Sequence, residues 1–223
     1  MDTIDFTPFL LSFKLAFFTT LILLIIGIPI AWKLSKTKSK FKPFIESIIA
    51  LPIVLPPSVL GFYLLIFFSP NSLVGKFLLE NFNLKLLFSF EGLVVGSVIY
   101  SMPFMIQPLQ SAFEKIPKNI IEASYLCGKG EIETLFKVVI PNIKPALISA
   151  IVITFAHTIG EFGVVLMIGG SIPNETRVAS VAIYDFVEEL NYKDAHIYSL
   201  IMLIISFLVL FLIYFFKQRK DND

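Results

Sequence analysis

The chain has 223 residues, 56% of them hydrophobic and only 16% charged, with a mean hydropathy of +0.83. A soluble domain keeps about a quarter of its residues charged, so an ordinary globular enzyme, a disordered chain and a disulfide scaffold are excluded. The formal net charge of +1 points to no nucleic acid, and the single cysteine, Cys127, can form no internal disulfide. The composition is that of an integral membrane protein.

A helix needs about 20 apolar residues to cross the roughly 30 Å hydrocarbon layer. Five segments meet this length, so the expected fold is all-α and polytopic, with spans at about 8–32, 47–68, 92–113, 145–168 and 195–216. A closed β-barrel would show alternating segments of about ten residues, which these continuous runs do not. The first span carries Lys14 as its only charge. It lacks a basic leader and exceeds signal-peptide length, so a retained helix is expected.

The second span contains Pro52, Pro56 and Pro57, followed by Ser58 and Gly61. Prolines remove backbone donors and break the helix, and broken helix at membrane depth must be buried in protein or line a wet cavity. The segment reads either as a kink packed against its neighbours or as a hinge or pathway wall. In the third span Gly92 and Gly96 permit close packing and prove nothing more.

The connection at about 114–141 has a helical pattern of its own. Ile120, Ile121, Ser124 and Cys127 recur at helical steps up to Gly128, and Ile132, Leu135, Phe136 and Val139 lead on to Pro141. Pro117 suits a first helical turn and Gly128 the left-handed residue after a helix end. Two short helices bent at Gly128 are expected, with Cys127 in a buried packing role. Such a pair either rests on lipid as an interfacial segment or seats in the groove of a soluble partner.

In the fourth span Ala150, Thr154, His157 and Glu161 recur at steps of 4, 3 and 4 and so share one helix face, and Gly160 and Gly163 flank the carboxylate. An ionisable group at this depth faces a bundle interior or cavity. His157 and Glu161 alone are weak evidence for a metal. The roles left open for Glu161 are a structural hydrogen bond between helices and a gate or pathway function. The next connection carries Glu175, Asp185, Glu188, Glu189 and Asp194.

Lys and Arg gather on the cytoplasmic side of a membrane protein. Lys33, Lys36, Lys38, Lys40 and Lys42, then Lys115, Lys118, Lys129, Lys137 and Lys144, then Lys217, Arg219 and Lys220 hold most of the 18 basic residues. They share one face if the N-terminus is outside and the C-terminus inside, which leaves Asp2, Asp5 and the acidic connection opposite. The 114–141 segment is then cytoplasmic. A phosphate-binding Gly-rich loop with its Lys is lacking, as is a Ser/His/Asp cluster with a plausible shared site. If the protein pumps, the nucleotide chemistry belongs to another chain.

Glu122-Ala123-Ser124, three residues, Gly128, nine residues and Val138-Val139-Ile140-Pro141 resembles the EAA loop of binding-protein-dependent ABC importers. That pattern runs Glu-Ala-Ala, three residues, Gly, nine residues, Ile-x-Leu-Pro; Ser124, Val138 and Ile140 depart from it while the spacing is intact. The stretch from Leu51 to Leu65, with Gly160-Glu161-Phe162-Gly163, Ile172-Pro173, Glu175-Thr176-Arg177 and Ala182-Ile183-Tyr184, is similar to molybdate importer permeases. Sulfate permeases share parts of these segments, and tungstate is a near twin of molybdate.

The resemblance implies a type I ABC importer permease fold occupying 1–223 as one transmembrane domain in a prokaryotic cell membrane. It also implies a homodimer with the passage at its interface, two ATPase subunits binding ATP-Mg below, and an extracytoplasmic binding protein above. The chain itself would be no enzyme and hold no cofactor. The loop would dock on the ATPase, with Glu122 making a charged hydrogen bond that holds the docking helix. Molybdate is a dianion, and like unit charges about 4 Å apart repel by roughly 4 kcal/mol at an effective dielectric near 20. Glu161 is therefore expected to be neutralised by Arg177 or His157, in a contact that helps close an outer gate. A transporter or channel independent of ATP would show an internal repeat with paired broken helices, and none is legible.

Overall fold

The computed structural model describes the backbone of residues 4–221 and the side chains of residues 4–211. Asp2 and the side chains of Lys217, Arg219 and Lys220 lie outside the described residues. Every regular element among the described residues is helical: α1 (Thr7–Lys36), α2 (Lys42–Val54), α3 (Pro57–Phe68), α4 (Leu73–Phe82), α5 (Phe90–Glu114), α6 (Lys118–Leu126), α7 (Glu131–Thr134), a π turn (Leu135–Val139), α8 (Ile140–Asn142), α9 (Lys144–Ile159), α10 (Gly163–Gly169), α11 (Ala179–Glu188) and α12 (Tyr192–Asp221).

Helices α1, α5 and α12 are each long and apolar enough to cross a membrane unbroken. The other two expected spans are not single helices. The second is α2 and α3, whose axes differ by 112° across Leu55 and Pro56. Pro56 is extended and Pro57 opens α3, where its missing N–H costs nothing. The fourth is α9 and α10, separated by Gly160, Glu161 and Phe162. Glu161 thus sits in a break and does not continue the face of Thr154 and His157. Helices α4 and α11 were not expected from the sequence.

Helices α1, α5 and α9 pack against one another as the centre of the bundle, while α10 lies between α3 and α5. One apolar core joins Trp32, Met105, Leu109, Phe113, Leu135 and Val139 at the end where the lysines gather. A second joins Leu15, Leu64, Leu93, Val164 and Ile168 toward the acidic end. The exterior of α1 and α12 is lined with exposed side chains such as Leu10, Ile25, Leu203 and Phe207, as expected where lipid replaces water.

Candidate functional site

The 114–141 segment folds as a helical hairpin. Pro117 is the residue preceding α6, one position before its first turn. At the other end Gly128 adopts φ +78°; the Gly128 N–H donates to the Tyr125 carbonyl at 2.9 Å and the Lys129 N–H to Ser124 at 3.2 Å. These two bonds make a Schellman cap, which turns the chain toward α7. The hydroxyls of Ser124 and Thr134, both buried, hydrogen-bond at 2.9 Å and tie the two arms together. Ser124, the departure from Ala in the loop pattern, is what supplies this staple. Ahead of Pro141, which cannot donate to the helical ladder, the backbone widens into the π turn.

Leu135 and Val139 bury the hairpin's inner side against the bundle. Its outer side exposes Leu126 (89%), Ile132 (74%) and Phe136. An open groove of about 690 Å³ runs past Gly130, Glu131, Ile132, Glu133, Phe136 and Lys137. Glu122, Ala123 and Pro141 are exposed, and Val138 and Ile140 half-buried. Among the described residues the Glu122 side chain makes no hydrogen bond or ion pair that would hold α6 within this chain. Cys127 is exposed, not packed inside.

Contacts that the sequence does not reveal bind the hairpin to α1. The Trp32 indole N–H and the Lys36 ammonium both donate to Glu131 Oε1 at 3.2 Å. Lys36 also donates to the Tyr125 hydroxyl at 3.1 Å and lies 3.8 Å from the Trp32 ring centre. The Lys36 hydrogen bond and charge hold the Glu131 carboxyl below its ordinary range. A lone Trp near a span end was the available signal, but nothing local pairs it with a residue 99 positions on.

The two broken spans meet. A Cβ on Gly163 would come within 2.7 Å of Pro57 Cβ, and one on Gly61 within 2.7 Å of Met167 Cβ, so these glycines set how closely α3 and α10 approach. Pro57, Ser58, Gly61 and Gly163 are therefore brought together, while Pro56 and Ser58 remain exposed on this chain. Glu161, two residues before Gly163, is buried (4%). Its backbone carbonyl accepts from the Ser180 hydroxyl at 2.6 Å, but among the described residues its carboxyl oxygens have no hydrogen-bond partner.

Neither expected partner reaches that carboxylate. Arg177 pairs instead with Asp185 at 2.9 Å and lies over the Phe186 ring. His157 stacks on Phe104, lies 4.8 Å from the Tyr100 ring and hydrogen-bonds Ser101 through Nδ1 at 3.0 Å. Ser101 also bonds Thr158, closing a polar seam between α5 and α9. Among the described residues the buried hydroxyls of Ser97 and Thr154 also lack partners.

The family described as binding-protein-dependent transport system inner membrane component matches residues 8–221. The chain belongs to this family. The permease is 48% identical over 217 residues to the molybdenum transport system permease protein ModB of Azotobacter vinelandii, covering 97% of this chain and 96% of that one. It is 32% identical to the probable sulfate transport system permease protein cysT of a Helicosporidium species, covering 94% and 77%. Among solved structures, a chain of the MetNI methionine ABC transporter superposes with TM-score 0.71 at 18% identity, covering 95% of the permease and 94% of that chain. A bacterial alginate ABC importer gives 0.73 at 16% identity, covering 95% and 79%. These likenesses establish the fold, and the family places the permease in the inner membrane as a multi-pass component.

Proposed function

We propose that this chain is the membrane subunit of an ATP-driven molybdate importer. The observation carrying this reading is the 48% identity to a molybdenum transport permease across nearly both full lengths, against 32% for a sulfate transport relative. The whole chain acts as one transmembrane domain crossing five times, with α2–α3 and α9–α10 each counted as one crossing, N-terminus out and C-terminus in. The lysine-rich end supports that orientation.

The hairpin α6–α8 is the docking element for an ATPase subunit that binds ATP-Mg. Exposed Glu122, Ala123, Leu126, Ile132 and Phe136 suit a partner's groove better than water. Gly128, Ser124, Val138, Ile140 and Pro141 give the element its shape. Two copies of the chain enclose the passage, because one bundle is too small to seal it. An extracytoplasmic binding protein delivers the anion and sets most of the selectivity.

Pro56, Pro57, Ser58, Gly61, Thr154, His157, Gly160, Glu161 and Gly163 form the gate region, where two broken spans lean on each other. Glu161 is buried within the chain and pairs with no cation among the described residues, and it does not bind the dianion. Its unpartnered carboxyl, with those of Ser97 and Thr154 hydroxyls, supports a gate that repacks between states. Arg177 steadies α11 through Asp185.

The test is uptake of labelled molybdate into proteoliposomes holding permease, ATPase and binding protein. Tungstate is expected to compete and sulfate to leave uptake unchanged. Faster uptake of sulfate than of molybdate would transfer the assignment to sulfate, the alternative favoured by the cysT relatives.

A further inference from the structure

Covalently, the hairpin leads into the bundle only through α5 and α9. A third connection runs through side chains. Glu131, the first residue of α7, accepts from Trp32 and Lys36 on one carboxylate oxygen. Trp32 is buried (4%), in edge contact with Phe113 of α5 at 5.3 Å between ring centres. Lys36 reaches from the last turn of α1 to Tyr125 on α6, so α1 holds both arms of the hairpin.

We propose that Trp32, Lys36 and Glu131 form a latch through which displacement of the hairpin moves α1 and, against it, α5. This rests on the reading that the hairpin docks on an ATPase. An exposed ion pair alone adds little, and Glu131 is largely exposed. The buried indole makes the difference, because its N–H and its ring engage different elements. Helix α1 is 30 residues long and packs on both α5 and α9. A push at its lysine-bearing end is therefore felt along the bundle's centre. Without the latch the hairpin would still pull on α9, so loss of the latch should weaken coupling without abolishing it.

These three are positioning residues, and the test must separate coupling from folding. Complexes of permease, ATPase and binding protein carrying Glu131→Gln or Trp32→Phe are compared with the natural complex in proteoliposomes. Both variants should keep the ATPase bound and hydrolysing, while anion imported per ATP falls about 3–10-fold, within the range such contacts command. Lys36→Glu combined with Glu131→Lys should recover part of the loss, since the ion pair returns and the indole bond does not.

Trp32 is the chain's single tryptophan. The emission difference between natural and Trp32→Phe complexes therefore isolates it, and nucleotide should shift that emission less in Glu131→Gln. An unchanged import ratio in both variants, or loss of the ATPase from both, would overturn the latch. A natural complex that never retains an ATPase would instead overturn the docking reading.

Discussion

Gly163 and Pro57 form one of the two close contacts between the interrupted helices of this permease. The space above the Gly163 Cα is filled by the Pro57 ring, only 2.7 Å from where a Cβ would stand. Gly160, three residues earlier, faces nothing nearer than 3.8 Å. The two glycines of one short motif therefore do different work. Gly163→Val should lower stability by about 1–3 kcal/mol through overpacking, whereas Gly160→Ala should be near neutral. Thermal unfolding of the detergent-solubilised variants checks this, and equal effects at both positions would contradict the packing argument.

Gly128 has open space around it and a φ of +78°. Any cost of a side chain there is conformational, about 1–2 kcal/mol for the left-handed region. Gly128→Ala should loosen the hairpin and reduce the ATPase that co-purifies, and Gly128→Asn should do so less. Limited proteolysis between residues 126 and 131 would report the loosening directly.

The buried Ser124–Thr134 hydrogen bond makes a sign prediction. Removing one partner strands the other hydroxyl, at about 1–3 kcal/mol. Ser124→Ala and Thr134→Val should each destabilise, and the double variant should cost less than their sum. Chemical denaturation of the four proteins completes the cycle; strict additivity would mean the hydroxyls do not depend on each other.

Arg177 and Glu161 stand close in the sequence patterns yet do not pair in the fold, since Arg177 is held by Asp185. A double-mutant cycle of Glu161→Gln and Arg177→Gln should give additive effects within about 0.5 kcal/mol, as for independent sites. Arg177→Gln with Asp185→Asn should be clearly non-additive. Coupling between Glu161 and Arg177 would restore the ion pair that the sequence suggested.

The membrane class, the hairpin and its left-handed Gly128 were legible because each depends on local chemistry: long apolar runs, a helix end, a proline. The break at Pro56 was legible for the same reason, though not its 112° turn, which is set by how α3 packs on α10. The break at Glu161 was hidden. Apolar residues continue on both sides of it, and the Ser180 hydroxyl that donates to the Glu161 carbonyl comes from 19 positions away. The same limit concealed the Trp32–Glu131 contact and misassigned the partner of Arg177. Helical spacing places residues on a face only while the helix continues.

In the proposed mechanism the hairpin is driven by an ATPase supplied by another chain. The most direct measurement is uphill molybdate accumulation in proteoliposomes with and without the ATPase subunit, the permease and binding protein being held constant. Accumulation should require both the ATPase and ATP, and should fall when Gly128→Ala loosens the hairpin. Uphill accumulation by the permease without any ATPase would contradict the account.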